Sequence, residues 1–146
     1  MAYMIQAIVT KERDATEQLP EHLRWVSLKA SLHMLPLGDD AAKFHGIPLL
    51  PFTDEGETEA PSPLARLCEV LSQNRTIAYI EAEIFGGSGT QASVIFSNGV
   101  QVGQPIVADD AINQALRGLG VSKGNAFDEF EAVGLGRHRD TDRWLA

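Results

Sequence analysis

The sequence predicts an α+β fold, with an antiparallel sheet of about five strands and two or three helices packed mainly on one face. Apolar runs with the period of a strand follow one another between residues 76 and 107, instead of alternating with helices. Asn98-Gly99 separates two of these runs, and segments with helical apolar spacing precede and follow them. At 146 residues, the chain is expected to form a single globular domain over residues 1–146.

Residues 76–107 have the pattern of a β-meander. In the first run, alternate residues form an apolar face, which consists of Ala78, Ile80, Ala82 and Ile84. The residues between them are expected to face outward, and they are Tyr79, Glu81 and Glu83. In the next run the apolar face is repeated by Ala92, Val94 and Phe96. Asn98-Gly99 then predicts a type I′ hairpin turn, since both central residues of that turn need a positive φ angle.

A glycine-rich segment at residues 86–89 joins the first two runs. Gly86, Gly87 and Gly89 allow backbone angles that other residues avoid, and they leave amide groups uncovered. The segment is compatible with a wide turn or bulge, and also with a nest of amides that binds an anion. It lacks the lysine of a phosphate-binding loop, and a strand is predicted to follow it.

The first half of the chain carries shorter patterns. A strand is predicted over residues 3–10, and the strict alternation of residues 26–34 predicts a half-buried strand with His33 on its polar face. Two prolines restrict residues 46–53 to an edge strand or an extended segment. Ser62 and the proline after it predict the N-cap and first position of a helix.

Apolar residues after the meander predict another helix, which should lie across the meander. Its stripe consists of Ile112, Ala115, Leu116 and Leu119, and Asp109 or Asp110 is positioned to cap it. We expect Trp144 to pack back onto the domain. Cys68 falls on or near the apolar stripe of the helix after Ser62, so core packing is expected for it.

Charge and composition limit the classes of function. The formal net charge is −8 and the pI is about 4.9, which disfavours nucleic acid as a partner. No apolar run approaches the roughly 18–20 residues of a membrane span. A single cysteine and an N-terminus without a signal-peptide pattern favour the cytoplasm. No cofactor motif is present, and the histidines lack the spacing of a metal site.

Acidic side chains provide the candidate interaction surface. It comprises the acidic residues of a predicted exposed loop and of one predicted strand, namely Asp54, Glu55, Glu57, Glu59, Glu81 and Glu83. Such a surface can simply keep the protein in solution. It can also steer the chain toward a basic protein and increase the association rate.

Glu81 and Glu83 are also a candidate for chemistry, because alternate residues of a strand share a face about 6.5–7 Å apart. Two carboxylates at that separation can perform acid and base catalysis or bind a divalent cation. A ligand site would add the glycine segment and the C-terminal cluster Arg137, His138 and Arg139. Alternatively, the C-terminal arginines pair with Glu81 and Glu83 and dock the end of the chain.

Four segments of the second half of the chain, residues 79–91, 111–121, 128–139 and 142–144, together resemble a group of small uncharacterised bacterial proteins. Such proteins are loosely associated with the immunity partners of secreted or contact-delivered toxins. The resemblance implies a bacterial cytoplasmic origin and a toxin domain as partner. It assigns no catalytic residue.

Three functional hypotheses remain at the level of sequence. The first is a non-enzymatic protein-binding module, an immunity-type inhibitor whose acidic surface covers a basic toxin domain. The second is a small enzyme or ligand-binding domain that uses the Glu81 and Glu83 face, the glycine segment and the arginine-rich C-terminus. The third is a homo-oligomer that pairs an exposed edge of the meander across a two-fold axis.

Overall fold

The structure is a computed structural model that describes residues 2–14, 16–85 and 88–146. Its strands form one antiparallel sheet, which confirms the predicted α+β class, with six strands instead of about five. In chain order they are β1 (Ala2–Thr10), β2 (Val26–Ser27), β3 (His33–Pro36), β4 (Thr76–Phe85), β5 (Ser88–Ser97) and β6 (Val100–Ala108). The order across the sheet is β2-β3-β1-β4-β5-β6, so β1 and β4 lie at its centre.

Four α-helices and two short 3₁₀ helices accompany the sheet in the described residues. The α-helices are α1 (Asp39–His45), α2 (Ser62–Leu71), α3 (Ala111–Gly118) and α4 (Glu129–Val133), and the 3₁₀ helices span Leu135–Arg137 and Thr141–Leu145. α2 and α3 are the two longest helices, and apolar spacing predicts both of them. Each buries its stripe against the sheet because that stripe is the only large apolar face it carries.

The meander is confirmed strand by strand. β4 and β5 pair from Thr76 opposite Ser97 to Phe85 opposite Ser88, and β6 follows an Asn98-Gly99 turn. Both turn residues have positive φ angles, 51° and 82°, as a type I′ turn requires. β5 starts earlier than predicted, and Gly89 lies opposite Ile84. Gly86 and Gly87 lie outside the described residues, so the predicted wide turn or anion nest there stays a prediction.

The helices lie on both faces of the sheet, which corrects the expectation that they pack mainly on one. α3 covers the face that carries Ala78, Ile80 and Ala82. α1, α2 and residues 47–52 cover the opposite face, where Tyr79 is buried. The residues of β5 that are predicted to repeat the apolar face of Ala78 instead face α2, which corrects that prediction; they are Ala92, Val94 and Phe96, and their register places them opposite Glu81, Tyr79 and Ile77. Both faces are therefore apolar, and the side predicted to face solvent is part of the core.

Residues 26–34 form a hairpin, which corrects the predicted continuous strand. β2 and β3 are joined by a tight turn in which Ala30 and Ser31 have φ angles of 59° and 60°. The amide of Leu28 donates to the carbonyl of Leu32 at 2.8 Å and closes the turn. Val26 lies opposite Met34 and Ser27 opposite His33, so a three-residue loop joins the strands and paired residues are an even number of positions apart. Alternation of period two therefore continues across the loop, and the sequence pattern does not reveal the reversal.

Several local predictions also change. Ser62 is the first residue of α2 but does not cap it, and Pro61 occupies the N-cap position. Asp110 is at the N-cap of α3, where the Gln91 side chain instead accepts from the Ile112 amide at 3.0 Å. Residues 46–53 form turns packed into the core, with Leu50 and Phe52 buried, and not an edge strand.

The C-terminal segment docks beside β1. β3 pairs only with residues 7–10 of β1, which leaves the first part of that strand open on one side. There the amide of Met4 donates to the carbonyl of Arg139 at 2.8 Å, and the amide of Gln6 donates to Thr141 Oγ1 at 3.1 Å. Trp144 is only 6% exposed, as the sequence predicts. The last residues of the chain thus satisfy the free backbone groups of a central strand.

Candidate functional site

Glu81 is fully buried, although the sequence placed it on an outward face. Its side chain is 0% exposed and lies beneath the turn that contains Phe52 and Thr53. The amides of Phe52 and Thr53 donate to its two carboxylate oxygens at 3.3 and 2.9 Å, and the Thr53 hydroxyl donates at 2.7 Å. The carboxylate therefore holds this turn against the central strand β4.

Tyr79 supplies the remaining direct donor to the carboxylate. Its hydroxyl donates to Glu81 Oε1 at 2.8 Å and accepts from Gln6 Nε2 at 3.1 Å. The same Gln6 nitrogen donates to the carbonyl of Pro48 at 3.1 Å, so the network reaches the start of the turn. Burial, with a smaller effect of the nearby Glu81 charge, raises the pKa of Tyr79 well above its ordinary value. The phenol therefore stays protonated as a donor.

Among the residues that the structure describes, no cation pairs with the buried carboxylate. Within the described residues, no Lys, Arg or His forms an ion pair with Glu81. A buried charge without a counter-ion is costly unless hydrogen bonds replace its hydration, and neutral donors do so here. This arrangement corrects two expectations about Glu81, namely that it forms part of an exposed interaction surface and that it pairs with the C-terminal arginines.

Glu83 lies on the same face of β4 but in a different environment. It is half-buried near the end of the strand, opposite Met4 on β1 and Thr90 on β5. The two glutamates therefore do not form an accessible pair, because the turn at residues 52–53 covers Glu81 while Glu83 stays partly open. A shared catalytic or cation-binding role for them is not supported by this geometry.

The acidic loop, defined here as residues 54–59, continues directly from the turn that Glu81 holds. All four of its acids, Asp54, Glu55, Glu57 and Glu59, are exposed. In the described part of the chain none of them forms an ion pair. The amides of residues 54 and 55 donate to the Leu50 carbonyl at 3.0 and 3.2 Å, and the amide of Glu57 donates to the Pro51 carbonyl at 2.9 Å. The loop is thus charged, accessible and anchored at its base.

The predicted C-terminal cluster is distributed differently. Arg137 and Arg139 are exposed, whereas the His138 ring packs perpendicular to Trp144 with ring centroids 4.6 Å apart. Neither arginine forms an ion pair with Glu83 among the described residues. The C-terminus therefore docks through backbone bonds and Trp144. Gly89 lies in β5, where an added Cβ would clash with the Glu83 carbonyl, so close strand packing accounts for that glycine.

The described residues lack two further kinds of feature. They contain no group of three or more His, Cys, Asp or Glu side chains placed to hold a metal ion. None of the described helices has the length and apolar character to cross a bilayer. Burial, with a smaller effect of Glu69, raises the pKa of the Cys68 thiol, which matches its predicted place in the core and disfavours a nucleophilic role.

No protein-family model, curated protein or solved structure matches this chain. The resemblance to toxin-immunity proteins therefore stays a sequence-based expectation.

Sequence reasoning missed the partners of Glu81. Gln6 and Thr53 lie 75 and 28 residues from it in the chain, yet one reaches the same network and the other donates directly to the carboxylate. The available signal was the polar Gln6 inside an otherwise apolar strand, β1, whose interior position predicts a hydrogen-bond partner. The identity of that partner depends on strand pairing and cannot be read from local spacing.

Proposed function

We propose that this chain is a non-enzymatic protein-binding module whose acidic loop contacts a basic surface on its partner. More specifically, we propose an immunity-type inhibitor that acts in the bacterial cytoplasm on a basic toxin domain. The observation that supports this proposal is the exposure of four carboxylates without ion pairs on one loop, which a buried carboxylate anchors to the sheet. Unpaired surface charge of one sign accelerates association with a partner of opposite charge.

Anchoring of the loop contributes to such binding. A loop that is fixed before the encounter loses less conformational entropy when it binds than a loop that orders on contact. Here the Glu81 carboxylate fixes the turn at residues 52–53, directly before the first acid of the loop. Within this proposal, Glu81 positions the loop, and the loop acids meet the partner.

The enzymatic alternative has less support from the geometry. It required Glu81, Glu83 and the C-terminal arginines to converge on one substrate, since catalytic groups must reach the same reacting atoms. Glu81 is covered and fully hydrogen-bonded, and Arg137 and Arg139 do not reach the glutamates through ion pairs in the described structure.

An edge-paired homo-oligomer is also less favoured. The outer edge of β6 exposes Val100, Val102 and Val107, which would suit a contact. However, residues 103–105 of β6 bulge opposite Val94 alone, and one of them is Pro105. Bulges and prolines on an edge strand oppose the addition of another strand.

The proposal is tested by charge reversal of the acidic loop. Tagged protein captures its partner from bacteria that encode the chain, and association is then measured by surface plasmon resonance at several salt concentrations. We expect Asp54→Lys, Glu55→Lys, Glu57→Lys and Glu59→Lys together to lower the association rate by about ten-fold or more at low salt, because steering is lost. The difference should shrink as salt screens the charges.

A matched control reverses four exposed acids elsewhere, at Glu21, Asp40, Glu69 and Asp109, with the same change in net charge. If the association rate falls by the same factor in both variants, only the net charge of the protein matters and the loop is not the contact. Co-expression then tests the inhibitor role separately. A captured partner that does not harm the host when expressed alone would contradict the toxin assignment while leaving the binding module in place.

A further inference from the structure

A groove near the C-terminus lies apart from the acidic loop. It has a volume of about 500 Å³ and is formed by the turn after β2, by α4 and by the last 3₁₀ helix. Its apolar wall includes Leu28, Phe130, Val133 and Trp144. This volume falls within the roughly 300–1,000 Å³ of small-molecule sites, which are mainly apolar with a few polar groups that orient the ligand.

Two cations flank the groove on a protein that is otherwise strongly acidic. Lys29 and Arg137 both line it, and in the described chain neither forms an ion pair. The aliphatic stem of Lys29 lies over Gly134, with its Cδ 3.8 Å from where a Cβ of that residue would be. The amide of Lys29 also donates to the Val133 carbonyl at 3.0 Å, which fixes the backbone of this lysine at the groove.

The single acid at the groove is already engaged. Glu131 also lines the groove, and its Oε2 accepts from the Phe127 amide at 3.0 Å at the start of α4. The formal charge of the groove lining is therefore positive, because Lys29 and Arg137 together outweigh Glu131. In a chain of net charge −8, this is a local reversal of sign.

Trp144 forms part of the apolar wall. It lines the groove and is 6% exposed, so the core holds its ring in place. A large aromatic ring that is fixed in this way offers a packing surface to an apolar ligand.

We infer that this groove binds a small carboxylate with an apolar body, aliphatic or aromatic. The apolar part packs against Phe130, Val133 and Trp144, and the carboxylate lies toward Lys29 and Arg137. The site is separate from the acidic loop, so it stands or falls independently of the proposed protein partner.

The test uses isothermal titration calorimetry with the full chain and defined probes. Decanoate and 2-naphthoate serve as aliphatic and aromatic carboxylates, and decyltrimethylammonium serves as an apolar chain with the opposite charge. We expect saturable binding of at least one carboxylate with one molecule per chain, and at least about ten-fold weaker binding of the cation because Lys29 and Arg137 would repel it.

Variants then locate the site. Lys29→Met and Arg137→Met each keep an apolar stem, and each should weaken carboxylate binding by about 2- to 5-fold, as expected for a partly exposed ion pair. Arg139→Met removes the same charge two residues away, outside the groove, and should leave affinity unchanged. Gly136→Leu should block the groove, because Gly136 lines it and leucine adds a large side chain there. The fold can accept this substitution, since an added Cβ meets only Phe130 at an ordinary 3.6 Å.

Three results would overturn the inference. The first is that neither carboxylate binds to wild-type protein, and the second is equal affinity for carboxylate and cation. The third is binding that Gly136→Leu leaves intact although circular dichroism shows that the variant is folded. Native mass spectrometry adds a further check on the occupant of the groove. If wild-type protein is a dimer and Gly136→Leu is a monomer, the groove binds a second copy of the chain and the inference of a small carboxylate is wrong.

Discussion

At the scale of single residues, Glu81 shows how one side chain connects the sheet to a surface loop. Its carboxylate accepts from two backbone amides and two hydroxyls, and it has no cationic partner in the described structure. Removal of an acceptor would leave buried donors unsatisfied, which costs more than the bonds themselves contribute. The sequence placed Glu81 and Glu83 on one face correctly, but burial separates their roles.

Glu81→Gln is expected to lower the free energy of unfolding by about 1–3 kcal/mol, because an amide nitrogen replaces one acceptor oxygen and faces donors. The matched control is Glu83→Gln on the same strand face, where a half-buried side chain without a hydrogen bond in the described structure should change stability by about 0.5 kcal/mol or less. Urea unfolding monitored by circular dichroism measures both. Equal effects would show that the Glu81 network does not stabilise the fold.

At the scale of elements, the end of the chain completes the side of β1 that β3 leaves open. The backbone bonds of Met4 and Gln6 to residues 139 and 141 fix the segment, and Trp144 fills the core beneath it. Tyr3 adds a bond from its hydroxyl to the Leu135 carbonyl at 2.9 Å. The C-terminus is therefore a structural element of the sheet, in addition to forming one wall of the groove.

Trp144→Ala is expected to destabilise the protein by about 3 kcal/mol, because it removes a large buried side chain and leaves a cavity. Phe127→Ala provides the control, since that ring is 77% exposed and its loss should cost about 0.5 kcal/mol or less. Chemical denaturation of both variants tests this pair. A small effect for Trp144→Ala would mean that the end of the chain detaches readily from β1.

At the scale of the whole molecule, negative charge exceeds positive charge by eight, and the described residues form four ion pairs. In one of these pairs Arg75 lies 2.6 Å from Glu17, and in another Arg117 contacts Glu129 at 3.0 Å. The acids of the acidic loop lack such partners in the described residues. Net charge far from zero destabilises the compact state through self-repulsion.

Salt should therefore stabilise the protein. We expect the melting temperature to rise between about 0.01 M and about 1 M sodium chloride, over which the screening length falls from roughly 30 to 3 Å. In a variant with Asp54→Asn, Glu55→Gln, Glu57→Gln and Glu59→Gln, the rise should be smaller because less repulsion remains to be screened. An equal rise in both proteins would mean that the loop charges do not repel the rest of the molecule.

Local chemistry of the sequence determined the fold class, the meander and the two longer helices. The Asn98-Gly99 turn was predictable because few residue pairs accept its backbone angles, and α3 was predictable because its apolar residues recur with helical spacing. The burial of Cys68 followed from its place on a helical apolar stripe, and that of Trp144 was expected for a large aromatic side chain.

Only the tertiary structure decided that both faces of β4 are buried. The alternation of residues shows that Tyr79 and Glu81 share a face of β4. Whether that face is exposed to solvent depends on segments that are distant in sequence, here α2 and residues 47–53. The same holds for the hairpin of residues 26–34, for the docking of residue 139 on β1 and for the groove at Trp144. These features join residues that are distant in sequence, and local spacing contains no information about such contacts.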